Sequence, residues 1–177
     1  IEYKGSRYRG FQRQRAGVPS IQETLEKALS KVAGGAPVTL SCAGRTDALV
    51  HASAQVVHFD TTVERSLHAW VMGANMNLPG DISVAWAKFM PAQFDARFSA
   101  RARRYRYVIY NDQIRPAHMA EEVTWNHRPL DIERMRAAAR YLVGTHDFSA
   151  FRAAACQAPS PVKTLRQLDI AQRGFVE

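Results

Sequence analysis

The sequence predicts an α+β protein whose first part runs β-α-β-β-α-β. Three observations carry this. One helix, between residues 20 and 35, has its own start and stop signals; a second apolar periodicity of helical spacing lies between Ser66 and Asn75; and short β-rich segments flank both. Ile1 to Tyr3 reads as a strand, followed by a basic loop. Ser20 and Glu23 then form a capping box. Ile21, Leu25, Leu29 and Val32 share one helical face until Gly34-Gly35 stops the run. "APVTLSC" (Ala36 to Cys42) and "HASAQVVHF" (His51 to Phe59) read as strands. Leu67, Trp70, Val71 and Ala74 make the second helix, ended by "NLPGD". "ISVAWAKF" alternates Ile82, Val84 and Trp86 toward one face. This order is the split βαβ arrangement of ferredoxin-like sheets, with helices on one face and the other free to meet a ligand.

A second unit begins at once. "RRYRYVIYN" alternates Tyr105, Tyr107 and Ile109 against Arg104, Arg106 and Val108. A helix follows from Asp131 to Val143, with Ile132, Met135, Ala139 and Leu142 on one face, and Val162 to Ile170 supplies a strand. The expected organisation is a ferredoxin-like half over residues 1–95 and an incomplete second half over 96–177. "RAAACQAPSP", Arg152 to Pro161, is the most loop-like stretch and a candidate flap. The chain opens at Ile1 without methionine and stops inside the second unit, so it reads as a fragment.

With 177 residues the chain can bury a core without staples. Cys42 and Cys156 have no metal-type spacing, which speaks against a zinc site or disulfide framework and fits a reducing compartment. The six histidines include no HExxH pattern, and neither a GxSxG elbow nor a GxxxxGK loop is present. No resident metal is expected. Without a long apolar run or leader pattern, the expectation is a soluble cytoplasmic protein with no membrane partner.

Formal net charge is +8, and it is unevenly spread: residues 1–110 hold 15 Lys and Arg against 8 Asp and Glu. Charge alone is accounted for by a solvated basic surface. Its clustering points to a polyanion. "RARRYRY" carries Arg101, Arg103, Arg104 and Arg106 among tyrosines, and "RYRGFQRQR" carries Arg13 and Gln14. Guanidinium groups neutralise phosphates, and aromatic faces and amides stack on bases or bond their edges. These are the candidate RNA-contacting residues.

Between the strands at Cys42 and His51 lies "CAGRTDALVHA", in which Asp47 follows Arg45 and precedes His51. A carboxylate on such a bend serves as a turn-forming residue with Arg45 as a surface partner. It also has what a nucleophile or base needs, an exposed mount beside a cation that keeps it ionised. The residues alone do not choose between the two.

The same stretch resembles the GRTDAGVHA signature of the tRNA pseudouridine synthase A family. "GFQRQ", "SIQETLEKAL", "NLPGDI", "FDARFSARARRYRYVIYN", "GTHDFSAFR" and "SPVKTL" are similar to further family stretches, occur in the family's order and extend over nearly the whole chain. The resemblance implies the pseudouridine synthase fold, two ferredoxin-like halves on a shared, mostly antiparallel sheet. It implies isomerisation of uridine to pseudouridine in the anticodon stem-loop of tRNA by a homodimer, without cofactor. Asp47 matches the family's catalytic aspartate, Arg45 the arginine that helps displace the target nucleotide, and Tyr105 the tyrosine that stacks on the extracted uracil. Without the family, Tyr105 reads as an ordinary core aromatic.

Two departures stand out. Leu49 occupies the place of a family glycine, where left-handed geometry would cost a leucine roughly 1–2 kcal/mol. The family also continues with a strand and helix that supply a basic partner for the aspartate, so this chain alone is expected to turn over little while keeping RNA affinity. The alternative is an RNA-binding module that has lost chemistry; an ordinary metabolic domain with incidental basic surface is the third reading.

Overall fold

The computed structural model describes residues 1–152 and 159–174. The chain divides into two compact units, Ile1–Val108 with Glu121–Val123, and Ile109–Ala120 with Thr124–Glu177.

The first unit has the expected element order: β1 (Glu2–Tyr3), α1 (Ile21–Val32), β2 (Ser41–Cys42), β3 (Val57–His58), α2 (Leu67–Asn77) and β4 (Ile82–Ser83). Its strands are far shorter than the sequence suggests, for an identifiable reason. The run from 51 to 59 changes partner midway. Ala52 and Gln55 exchange backbone hydrogen bonds with Tyr3 and Ile1, at 2.8–3.0 Å, and only Val57–His58 pairs with β2. The lateral order is therefore β4, β1, the 52–58 segment, β2, with every pairing antiparallel. Before β2, the Val38 and Leu40 amides donate to Ser30 Oγ (3.0 Å) and Glu26 Oε1 (2.9 Å) on α1. After β4, the Val84 amide donates to Asn75 Oδ1 at 2.8 Å. Side-chain acceptors on the helices thus take amides that a longer strand would have used.

Ser20 caps α1 by accepting from the Glu23 amide at 3.3 Å, while the Glu23 carboxylate pairs with Lys27 (2.8 Å). Ile21, Leu25, Ala28 and Leu29 form the buried face of α1. They join one core with Trp70 and Ala74 of α2, Tyr3, Tyr8, Phe11, Val38, Leu40 and Ile82. Each fully buried Leu or Ile contributes roughly 1.5–3 kcal/mol. Glu26, only 3% exposed, sits at the edge of this core. It accepts from Gln22 and the Leu40 amide, both at 2.9 Å, and is ion-paired with Arg13.

The second unit contains β5 (Ile109–Asn111), β6 (Thr124–Asn126), α3 (Ile132–Arg140), β7 (Gly144–Asp147), a 3-10 turn (Ser149–Phe151) and β8 (Val162–Leu165). β5 pairs with β6 in parallel, and β7 with β8 antiparallel, Gly144 opposite Leu165. Asp131 caps α3 through the Arg134 amide at 2.9 Å. Among the described residues of this unit only Pro116 and Ala139 are buried.

Several expectations are corrected here. The strands pair as four short two-stranded ladders, three antiparallel as expected and one, β5 with β6, parallel. The strand read from Arg103 to Asn111 exists only at 109–111, the part that pairs with β6; residues 101–108 are irregular and exposed, with no ladder among the described residues to hold them extended. Helix α3 stops at Arg140, where the Tyr141 and Leu142 amides bond carbonyls three residues back. Strand β8 ends at Leu165, and the carbonyl of Ile170 accepts instead from Arg136 Nε at 3.0 Å. Of the candidate flap, residues 153–158, Cys156 included, lie outside the described residues.

Candidate functional site

The loop from Gly44 to His51 is held by contacts far apart in sequence. The Thr46 carbonyl accepts from the Phe11 amide at 2.9 Å, and its Oγ1 lies 2.8 Å from the buried Tyr3 hydroxyl. Gly10, at φ +103, presses on the loop from the same side: a Cβ there would stand 3.0 Å from the Thr46 carbonyl oxygen. The Gly44 carbonyl accepts from Gln55 Nε2. At the far end, His51 Nδ1 accepts from the Gly5 amide at 3.1 Å, so its Nε2 carries the hydrogen for the Glu121 carbonyl at 2.8 Å.

Within this frame Asp47 to Val50 makes a tight turn, closed by the Val50 amide on the Asp47 carbonyl at 3.3 Å. Leu49 occupies its third position with φ +69, the signature of a type II turn, and is the one non-glycine positive φ among the described residues. The sequence expectation of left-handed strain at Leu49 is met. Asp47 is exposed; among the described residues its carboxylate makes no ion pair or side-chain hydrogen bond, which leaves it available to a ligand.

Arg45 lines a cavity of about 410 Å³ together with Phe11, Gln12, Gln22, Cys42, Gly44, Arg97, Arg103 and Tyr105. Three of the lining side chains are arginines and none is acidic, so the cavity concentrates positive potential. Tyr105 is 73% exposed and is not a core aromatic. Burial pushes the Cys42 thiol above its ordinary pKa, keeping it protonated. Asp95 lies beside the third arginine. The Phe98 amide, and with it the Arg97 amide, holds its carboxyl below the usual range; the carboxylate caps the turn that presents Arg97 and stands 3.9 Å from His58 Nε2.

The predicted residues are thus partly brought together. Arg45, Tyr105 and Arg103 share one cavity, two residues along the chain from Asp47 in the case of Arg45. Arg103 is engaged already, its Nε (3.0 Å) and Nη2 both donating to the Ala43 carbonyl. Arg13 is spent on Glu26, and Gln14 donates to the Arg9 carbonyl at 2.5 Å. Arg101, Arg104 and Arg106 are exposed on the irregular segment. Sequence reasoning missed Tyr3, Gly10, Thr46, Gln22, His51 and Arg97 as parts of the site. Gly10, Gln22, Thr46, His51 and Arg97 lie inside stretches that carry the family resemblance; Tyr3 acts through a contact, 43 positions away, that no local pattern signals.

A cavity rich in arginine, with an exposed tyrosine, thus lies next to a loop whose carboxylate has no side-chain partner among the described residues. A family model described as tRNA pseudouridine synthase matches residues 1–99 and 138–176, and the chain belongs to that family. It is similar to the tRNA pseudouridine synthase A of Pseudomonas aeruginosa, 74% identical over 174 residues, which is 98% of this chain and 61% of the relative. The proteins of the same name from Alcanivorax borkumensis and Coxiella burnetii are 56% and 57% identical, over 99% and 96% of this chain and 66% and 64% of theirs. The chain therefore spans about two thirds or less of these relatives' length. Among the described residues no helix is long and apolar enough to cross a membrane, and no cluster of three or more His, Cys, Asp or Glu is suited to a metal.

Proposed function

We propose that this chain carries the reacting loop of an isomerase that converts uridine to pseudouridine in the anticodon stem-loop of tRNA, with Asp47 as the reagent. The N1–C1′ bond of the target nucleotide breaks, the uracil turns, and C5 bonds to C1′; N1 gains a proton and C5 loses one. The balance is redox-neutral and needs no cofactor. Asp47 acts on the base, on the sugar or on a ribose proton, and each role needs it ionised and within reach of the glycosidic bond. Arg45 fills the space left by the extracted nucleotide, whose unstacking costs a few kcal/mol. Tyr105 stacks on the extracted uracil. The first unit, with its β-α-β-β-α-β element order, belongs to one half of this enzyme and the second unit to the other.

The observation that carries this reading is the Asp47 carboxylate, without a side-chain partner among the described residues, on a loop fixed by Tyr3, Gly10 and Phe11, two residues from an arginine that lines the cavity with Tyr105. One observation favours a second reading, an RNA-binding chain without turnover: the reacting loop carries Leu49 at a backbone angle suited to glycine. Tritium placed at uracil C5 of a tRNA transcript separates them. The 177-residue chain should bind the tRNA and release little tritium. A chimera that adds the part of the Pseudomonas aeruginosa relative this chain does not match should release it readily. Binding without release in both supports the second reading.

A further inference from the structure

We propose that Arg103 is a positioning residue, a latch that clasps the start of the Asp47 loop and so holds Tyr105 in the cavity beside Arg45. This rests on the function proposed above for its consequence, though not for its geometry. Residues 101–108 have no regular secondary structure to fix them. Arg103 supplies an anchor: Nε (3.0 Å) and Nη2 both donate to the carbonyl of Ala43, sixty positions earlier. Two donors of one planar guanidinium on one carbonyl set the direction of the side chain as well as its distance. The contact exists only because residue 44 has no side chain. A Cβ at Gly44 would stand 2.7 Å from Arg103 Nε and 3.0 Å from its Cδ. Gly44 itself has no positive φ, so its role here is to leave room and not to bend the chain. Tyr105, two residues after the anchor, lines the same cavity as Arg45 and Arg103 while 73% exposed, so little packing of its own holds it.

The two roles open to Arg103 predict different things. A phosphate ligand contributes to affinity and to its salt dependence; a latch contributes to the position of Tyr105 before RNA arrives. Gly44→Ala distinguishes them, since it removes no charge, strains no backbone and meets only the movable arginine. Arg103→Ala removes the clasp directly.

The test places a fluorotyrosine at position 105 of the 177-residue chain and records fluorine NMR without RNA, in wild type, Gly44→Ala and Arg103→Ala. The latch predicts a shifted and motionally narrowed resonance in both variants. Identical spectra in all three overturn it. In the chimera, both variants should lower kcat roughly 10- to 100-fold, the scale of a misplaced reacting group, with the salt slope of tRNA binding unchanged in Gly44→Ala. An Arg103→Ala slope smaller by about one, with kcat intact and an unchanged Gly44→Ala, would make Arg103 a phosphate ligand instead. Because the spectrum needs no turnover, an inactive chimera would count against the isomerase reading and leave the latch decided by the resonance.

Discussion

The hydroxyls of Tyr3 and Thr46 meet at 2.8 Å, which ties the first strand to the residue immediately before Asp47 across 43 positions of sequence. Tyr3 is buried in the core, so the tether transmits the rigidity of the packed unit to the loop. Tyr3→Phe keeps the ring and removes the bond. It is expected to cost about 1 kcal/mol, read as a lower urea midpoint at unchanged slope. Gly10→Ala, which adds a Cβ 3.0 Å from the Thr46 carbonyl at φ +103, is expected to cost more than Tyr3→Phe.

Leu49 gives the opposite sign. At φ +69 a leucine carries roughly 1–2 kcal/mol of left-handed strain, and a glycine's extra freedom in the unfolded chain offsets roughly half of the gain. Leu49→Gly should stabilise by roughly 0.5–1 kcal/mol, an upward shift of the thermal midpoint by about 1–4 °C. Leu49→Ala, which keeps the strain, should give no such shift. A fall with glycine would mean that the exposed leucine makes a contact worth more than its strain.

Much of this was legible beforehand, and the boundary has a physical origin. The helices, the Ser20 cap and the element order follow from local signals: Ser20 caps where its box is read, and Ile21, Leu25 and Leu29 repeat at helical spacing. Strand lengths were not legible, because whether the Leu40 amide bonds a strand or Glu26 depends on a helix side chain fourteen residues away. In the site, Asp47, Arg45 and Tyr105 were named from the family signature. The supports Tyr3 and Gly10 were not, since each meets the loop at Thr46, far away in sequence. The pairing of Arg13 with Glu26 was not legible either, because the sequence does not show that this carboxylate is buried.

That ion pair gives a third prediction. Arg13→Ala leaves the Glu26 carboxylate, 3% exposed, with its bonds to Gln22 and Leu40 but without a cation. Breaking a fully buried pair costs roughly 3–5 kcal/mol, and the half-exposed arginine lowers this to about 2 kcal/mol. Chemical denaturation should show the loss, and Glu26→Gln combined with Arg13→Ala should recover part of it.

Alkaline stability gives a fourth. Burial first, and then the 2.8 Å bond from its hydroxyl to Asp81, push Tyr8 from 10.0 up to about 12. Below pH 10 the contribution is complete. Between about 10 and 12 the unfolded chain releases a proton that the folded chain retains, so stability falls with rising pH, by roughly 1 kcal/mol per pH unit at the steepest. Tyr3, raised mainly by burial, acts in the same direction. Tyr8→Phe should flatten the decline in this window without abolishing it, measured as unfolding midpoint against pH.

The central claim is that Asp47 is a reagent and not a turn former. Its most direct measurement compares the chimera with its Asp47→Ala variant for tritium release from uracil C5 and for tRNA affinity at one salt concentration. The account predicts release reduced by several orders of magnitude with affinity within about threefold of the parent, because the carboxylate is exposed, has no side-chain partner among the described residues, and its loss leaves the loop's anchors at Tyr3, Gly10 and Phe11 in place. Release by Asp47→Ala at the parent's rate would contradict it.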